Sequence, residues 1–136
     1  MASELRVNTL KDAAGNNSVA VSTVFNGSAK AWFNYDQVAN SVRDSVNTSS
    51  FSDDSTGDFK ANLTSAMSDA NYVTVGSNHD STTPGVNGIM WLCGHDDSGS
   101  DPGSFTSSQC RFGAYYIVSN RIDATRNKII IQGDLA

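Results

Sequence analysis

A chain of 136 residues is long enough for one domain that buries most of its unfolded surface and too short for two. Only 17% of residues are charged and 38% are hydrophobic, so the polarity comes mainly from Ser, Thr, Asn, Asp and Gly, which favour turns and caps; long helices are not expected. The net charge of -5, with nine Lys and Arg scattered along the chain, offers no basic patch for phosphates and argues against nucleic acid as a partner.

The start, "MASELRVNTL", has no basic region followed by an apolar one, and no apolar run approaches the ~20 residues a membrane-spanning helix needs. Neither a signal peptide nor membrane insertion is expected. Residues 1–26 read as an extended segment of two short pieces, "LRVNTL" and "SVAVSTVF", joined by "KDAAGNN", whose Gly and Asn suit a turn. Leu5 and Val7 alternate with polar neighbours and Leu10 ends the first piece. No adjacent run can cover them, so another copy of the chain is the expected cover.

Residues 27–136 read as an antiparallel β-sandwich of six or seven strands. Asn26-Gly27 is a two-residue hairpin signal, and behind it "AWFNY" places Trp32 and Asn34 on one side, Phe33 and Tyr35 on the other. Then come "VRDSVNTSSFSDD" and "GDFKANLTS", the latter with Phe59, Ala61 and Leu63 alternating cleanly against polar residues. "TSAMSDANY", residues 64–72, has room for a single helical turn at most. "NYVTVGS", "GIMWLCG", "RFGAYYIVSN" and "KIIIQGDLA" complete the series, separated by turn-rich stretches. "GIMWLC", "AYYIV" and "KIII" are apolar on both faces and are expected to be central strands. All-β order without a convincing helix favours a sandwich over a βαβ fold.

Chemistry-bearing residues are few. His79 and His95 are each followed by Asp, but the chain lacks Cys-x-x-Cys, His-x-x-x-His and an EF-hand loop, so no metal is expected. There is no G-x-S-x-G elbow to single out one serine, and no enzyme and no cofactor are expected. Cys93 and Cys110 are expected as buried, unbridged thiols. The loop with His95, Asp96, Asp97, Ser98, Ser100 and Asp101 could grip sugar hydroxyls, with Trp91 or Tyr115 stacking on the sugar ring. The four N-glycosylation sequons are the chance yield of an Asn- and Ser-rich chain.

The residues Lys30, Ala31, Trp32, Phe33 and Asn34, then Arg43, Asp44, Ser45 and Asn47, then Gly57 to Tyr72 carry a recognisable pattern. It runs Lys-Ala-Trp-x-Asn, Arg-Asp-Ser-x-Asn, Gly-Asp-Phe-x-x-Asn-Leu-Thr-x-Ala-Met-x-Asp-Ala-Asn-Tyr. Over residues 26–76 the chain thereby resembles a domain of bacteriophage virion fibre proteins, especially phages of marine bacteria and cyanobacteria. In general shape it is also similar to the six-stranded trimeric sandwiches of H-type lectins. Phe33 and Tyr35 are bulkier than the phage family's usual choices, and "DQVANS" stands where it has a Gly-rich turn. The resemblance implies a homotrimeric, non-enzymatic virion structural protein, in a tail fibre or on the capsid surface, assembled in the host cytoplasm. Its N-terminal segment would dock on other virion proteins, its sandwich would attach to a host-surface glycan or receptor, and Trp32, Phe33 and Tyr35 would seal the junction of three copies. The alternatives are a capsid or tail decoration protein without host binding, and a stand-alone trimeric lectin.

Overall fold

The structure, a computed structural model, describes residues 6–79, 89–91, 105–117 and 120–136, and of residues 89–91, 116, 117 and 120 the backbone alone. The chain opens with a small hairpin of β1 (Thr9–Lys11) and β2 (Ser18–Ala20), followed by one short helix, α1 (Val21–Gly27). The connecting turn is organised by Asp12, whose carboxylate accepts the backbone N–H groups of Asn16 and Asn17 and the Asn17 amide at 3.0, 3.3 and 2.7 Å. Gly15 takes φ +71, as expected of a turn glycine.

The helix corrects the expectation that "SVAVSTVF" is extended throughout, and Asn26-Gly27 turns no hairpin. The reason lies in the pairing of β3, which begins only at Ala31 and finds its neighbours elsewhere, leaving residues 21–27 with no strand to pair with. Their backbone groups are satisfied within the segment instead, as a helix.

Two larger antiparallel sheets form the body. One contains β3 (Ala31–Asp36), β4 (Ser41–Val46), β7 (Val73–His79) and β11 (Arg126–Gln132), in the order β4-β3-β11-β7. The other contains β5 (Thr48–Ser55), β6 (Asp58–Leu63), β9 (Gln109–Ile117) and β10 (Asn120–Arg121), in the order β10-β9-β6-β5, with β8 (Ile89–Trp91) also on β9. β9 and β11 are interior strands, as their two-sided apolar runs imply. β8 lies off the main path of its sheet, not at its centre.

The architecture is all-β and sandwich-like, because the two sheets share one core. Phe33 of β3 meets Phe51, Phe59 and Phe112 of the opposite sheet edge-on, with centroids 5.0, 6.2 and 5.6 Å apart, and Tyr35 stacks on Phe51 at 4.8 Å. Ile129, Ile131, Ala61, Met67 and Cys110 fill the rest. Alternation decides this: Phe33 and Tyr35 are buried while Trp32 and Asn34 are only half-buried, and Phe59, Ala61 and Leu63 point inward while Lys60 and Asn62 do not. Each fully buried aromatic contributes roughly 1.5–3 kcal/mol of transfer free energy.

The turns close on polar side chains. Asp36 caps the β3–β4 turn by accepting the Ala39 N–H at 3.0 Å and pairing with Arg43 at 2.5 Å; Asn40 supplies the left-handed residue at φ 45. Asn reaches this conformation more readily than most other residues with a side chain. Residues 64–72 hold no helix; Met67 instead bridges to Leu135 and is buried.

Candidate functional site

Asn47, Asp58 and Tyr72 serve the frame. Asn47, at φ 56 between β4 and β5, accepts the Ser65 N–H at 2.7 Å and donates to the Ser65 carbonyl at 3.1 Å. Asp58 is buried and held by Arg111 through two hydrogen bonds, one of 2.7 Å from Nε, with Arg121 at 3.5 Å. A carboxylate so buried needs such partners, and a forked guanidinium provides them bidentately. Tyr72 places its hydroxyl 3.0 Å from the carbonyls of Thr106 and Gln109 and 3.3 Å from Cys110 Sγ. Burial raises the pKa of the Tyr72 hydroxyl, and raises that of the Cys110 thiol to about 11.

The proposed sugar-binding group falls mostly outside the described residues. His95, Asp96, Asp97 and Asp101 lie outside the described residues, as does Cys93, and Trp91 is described by its backbone, which pairs with Gly113. Tyr115 is half-buried and already engaged: its hydroxyl accepts Arg121 Nε at 3.1 Å, and the guanidinium lies 5.5 Å from its ring. His79 is exposed at the end of β7. Among the described residues no group of three His, Cys, Asp or Glu converges as metal ligands. Cys110 is a free, buried thiol.

The assembly residues divide. Leu5 lies outside the described residues; Val7 and Leu10 are exposed, at 40% and 45%. Phe33 and Tyr35 are 2% and 0% exposed and belong to the chain's own core, which corrects their assignment to a junction between copies. Trp32 points the other way, to the outer face of the four-stranded sheet.

That outer face was not legible as a site. Val46, Trp32, Ile130 and Val75 stand directly opposite one another on four successive strands and so form one apolar row. Val46, Ile130 and Val75 are 47%, 48% and 61% exposed. Two residues along each strand lies a polar row, Asp44, Asn34, Lys128 and Ser77. An open cleft of about 670 Å³ lies over this face, lined by Ala29, Trp32, Asn34, Val75, Lys128 and Ile130 among others.

No protein-family model matches the chain, and neither the curated proteins nor the solved structures contain a match. Chemistry must therefore be read from the surface itself. A second cleft, of about 530 Å³, is polar and lined by Asn26, Asp69, Asn71, Tyr72, Gln132 and Asp134. Asp69 is turned to its own loop, where accepting the Asn71 N–H lowers its pKa. The apolar row is the more informative feature, since it sets exposed apolar side chains in register across four strands.

Proposed function

We propose that this chain is a non-enzymatic structural protein of a bacteriophage virion: a short homotrimeric fibre or appendage built on a β-sandwich, acting in host attachment. The observation that carries the reading is the exposed row Val46–Trp32–Ile130–Val75, which on a solitary chain would leave a broad apolar strip in water. Covering that strip with further copies removes it from solvent. The fibre-like pattern over residues 26–76 supports the choice of virion and of threefold symmetry.

Function follows from repetition. Three copies present each outward-facing site three times, so weak single-site contacts with a host glycan or receptor become avid through effective concentration. The N-terminal segment, residues 1–26, faces other virion proteins in this reading, and the body, residues 27–136, points outward.

Native mass by light scattering tests the assembly. The expected value for the full chain is three times 14.4 kDa. Ile130→Asp, which sets a charge in the middle of the apolar row, is expected to give monomers with unchanged far-ultraviolet circular dichroism. A parent chain that stays monomeric at high concentration removes the trimer from the reading. A glycan array probed with assembled trimer tests attachment; loss of all signal when the trimer is dissociated is the expected sign of avidity.

A further inference from the structure

The apolar core stops short of one end of the sandwich. On the inner face of the four-stranded sheet Phe33, Ile129 and Gly76 stand opposite one another, and two residues along each strand the row becomes Tyr35, Asn127 and Asn78. Asn127 is 0% exposed, Asn78 8%, and Gln37, just past the end of β3, 1%. Three carboxamides so buried weaken a core unless each finds partners, because an amide without one costs more than an apolar side chain of the same shape.

Two of the three are fixed by their own hydrogen bonds. Asn127 Nδ2 donates to the carbonyls of Tyr35 and Ala124 at 3.3 and 3.2 Å. Gln37 Nε2 donates to Asp53 Oδ1 and to the carbonyls of Ser55 and Asp58 at 2.9, 3.2 and 3.4 Å. All of these partners are acceptors, so turning either amide over would set oxygen against oxygen. Asn127 Oδ1 and Gln37 Oε1 are thereby held as acceptors, and neither has a donor among the described residues. Asn78 has a partner there for neither Nδ2 nor Oδ1. Directly opposite residues of an antiparallel pair have Cβ atoms about 4.5–5.5 Å apart. Asn78 and Asn127 are such a pair, both on the inner face, yet their amides do not bond each other.

We propose that Asn78 and Asn127 hold an internal water molecule between β7 and β11. The water accepts the N–H of Asn78 Nδ2 and donates to Asn127 Oδ1, with its second proton left for another acceptor at this end of the sandwich. A metal ion would serve the oxygens only and leave the Asn78 amide nitrogen without an acceptor, whichever way that amide is turned. The site is complete within one chain and stands whatever the oligomeric state. It also gives β7, the end strand in the order β4-β3-β11-β7, a reason for its register. A two-residue slip that sets Asn78 against Ile129 keeps every side chain on its face but parts the two amides, so the bridged pair selects the observed pairing.

A crystal structure of the full chain, at a resolution that shows ordered solvent, tests this. The expected result is a water about 2.7–3.2 Å from both Asn127 Oδ1 and the Asn78 amide. Asn78 Nδ2 bonded directly to Asn127 Oδ1 overturns the proposal, and so does a metal ion between the two amides or a gap with no ordered solvent. Urea titrations of Asn78→Leu, Asn127→Leu and the combined variant test the bridge in solution. Each single change strands the opposite amide and is expected to lower the folded-to-unfolded ratio by about tenfold or more. The combined variant, which removes both ends of the bridge, is expected to lose clearly less than the product of the two single losses. Losses that simply multiply overturn the bridge.

Discussion

Gly57 shows how much one residue carries. It takes φ +66 in the β5–β6 turn, and a Cβ there would lie 2.5 Å from the Ala114 carbonyl and 2.8 Å from the Ile122 nitrogen, both backbone atoms that cannot step aside. Its own N–H donates to Asp123 at 2.7 Å. Gly57→Ala is expected to lower stability by about 2–4 kcal/mol, through strain at positive φ and the clash together; a urea midpoint shifted down at constant slope is the measurement. Two buried groups set an alkaline limit. Burial raises Tyr35, with the charges of Asp53, Asp123 and Asp36 adding to it, from an ordinary 10.0 to about 12, and burial raises Cys110 from 9.0 to about 11. Both folded pKa values exceed the unfolded ones, so the folded state holds these protons more tightly. Their stabilisation is complete below pH 9 and is lost as pH climbs toward 12. Denaturant midpoints are expected to be level from pH 7 to 9 and to fall above it, and Cys110→Ala is expected to flatten the first part of that fall.

At the scale of the element, the sequence was readable wherever one face alone is buried. Phe59, Ala61 and Leu63 alternate with polar residues, and the structure buries those three. In β3 the alternation separated Trp32 from Phe33 but could not say which side is the core, because both sides carry an aromatic. That is decided by Phe51, Phe59 and Phe112 across the gap, residues distant in sequence. Residues 21–27 were misread for a related reason: β-branched Val21, Thr23 and Val24 favour a strand, yet no neighbouring strand is there to receive them. The candidate surface was illegible because Val46, Trp32, Ile130 and Val75 become neighbours only through three strand pairings. Gly76 belongs to this scale. In the middle of β7 opposite Ile129, it admits β11 so closely that a Cβ would meet the Lys128 carbonyl at 2.3 Å and Ile129 Cγ1 at 2.8 Å. Gly76→Val, favourable by strand propensity, is expected to loosen β7 from β11, seen as faster hydrogen exchange at Val75 and Ser77 while β6–β9 protection persists.

For the whole molecule the issue is where a chain of this size places its apolar surface. The core is well filled with aromatics, yet Val24, Phe25, Val46, Val73, Val75 and Ile130 are all 46% exposed or more, and Val46, Val73, Val75 and Ile130 sit on strands of one sheet. Single exposed apolar residues are ordinary; a row in register across a sheet is not. If that row is covered in a trimer, assembly is linked to folding, because an interface present only in the folded state stabilises it by mass action. The melting temperature of the parent chain is then expected to rise with protein concentration, by several degrees across a hundredfold range. In Ile130→Asp it is expected to be independent of concentration and to coincide with the parent's dilute limit, since the core residues Phe33, Ile129 and Ile131 face away from the substitution. Scanning calorimetry on dilution series of both proteins separates the two states: a parent curve that does not move with concentration would mean the row contributes nothing to assembly, whereas an Ile130→Asp curve that still moves would assign assembly to a different face.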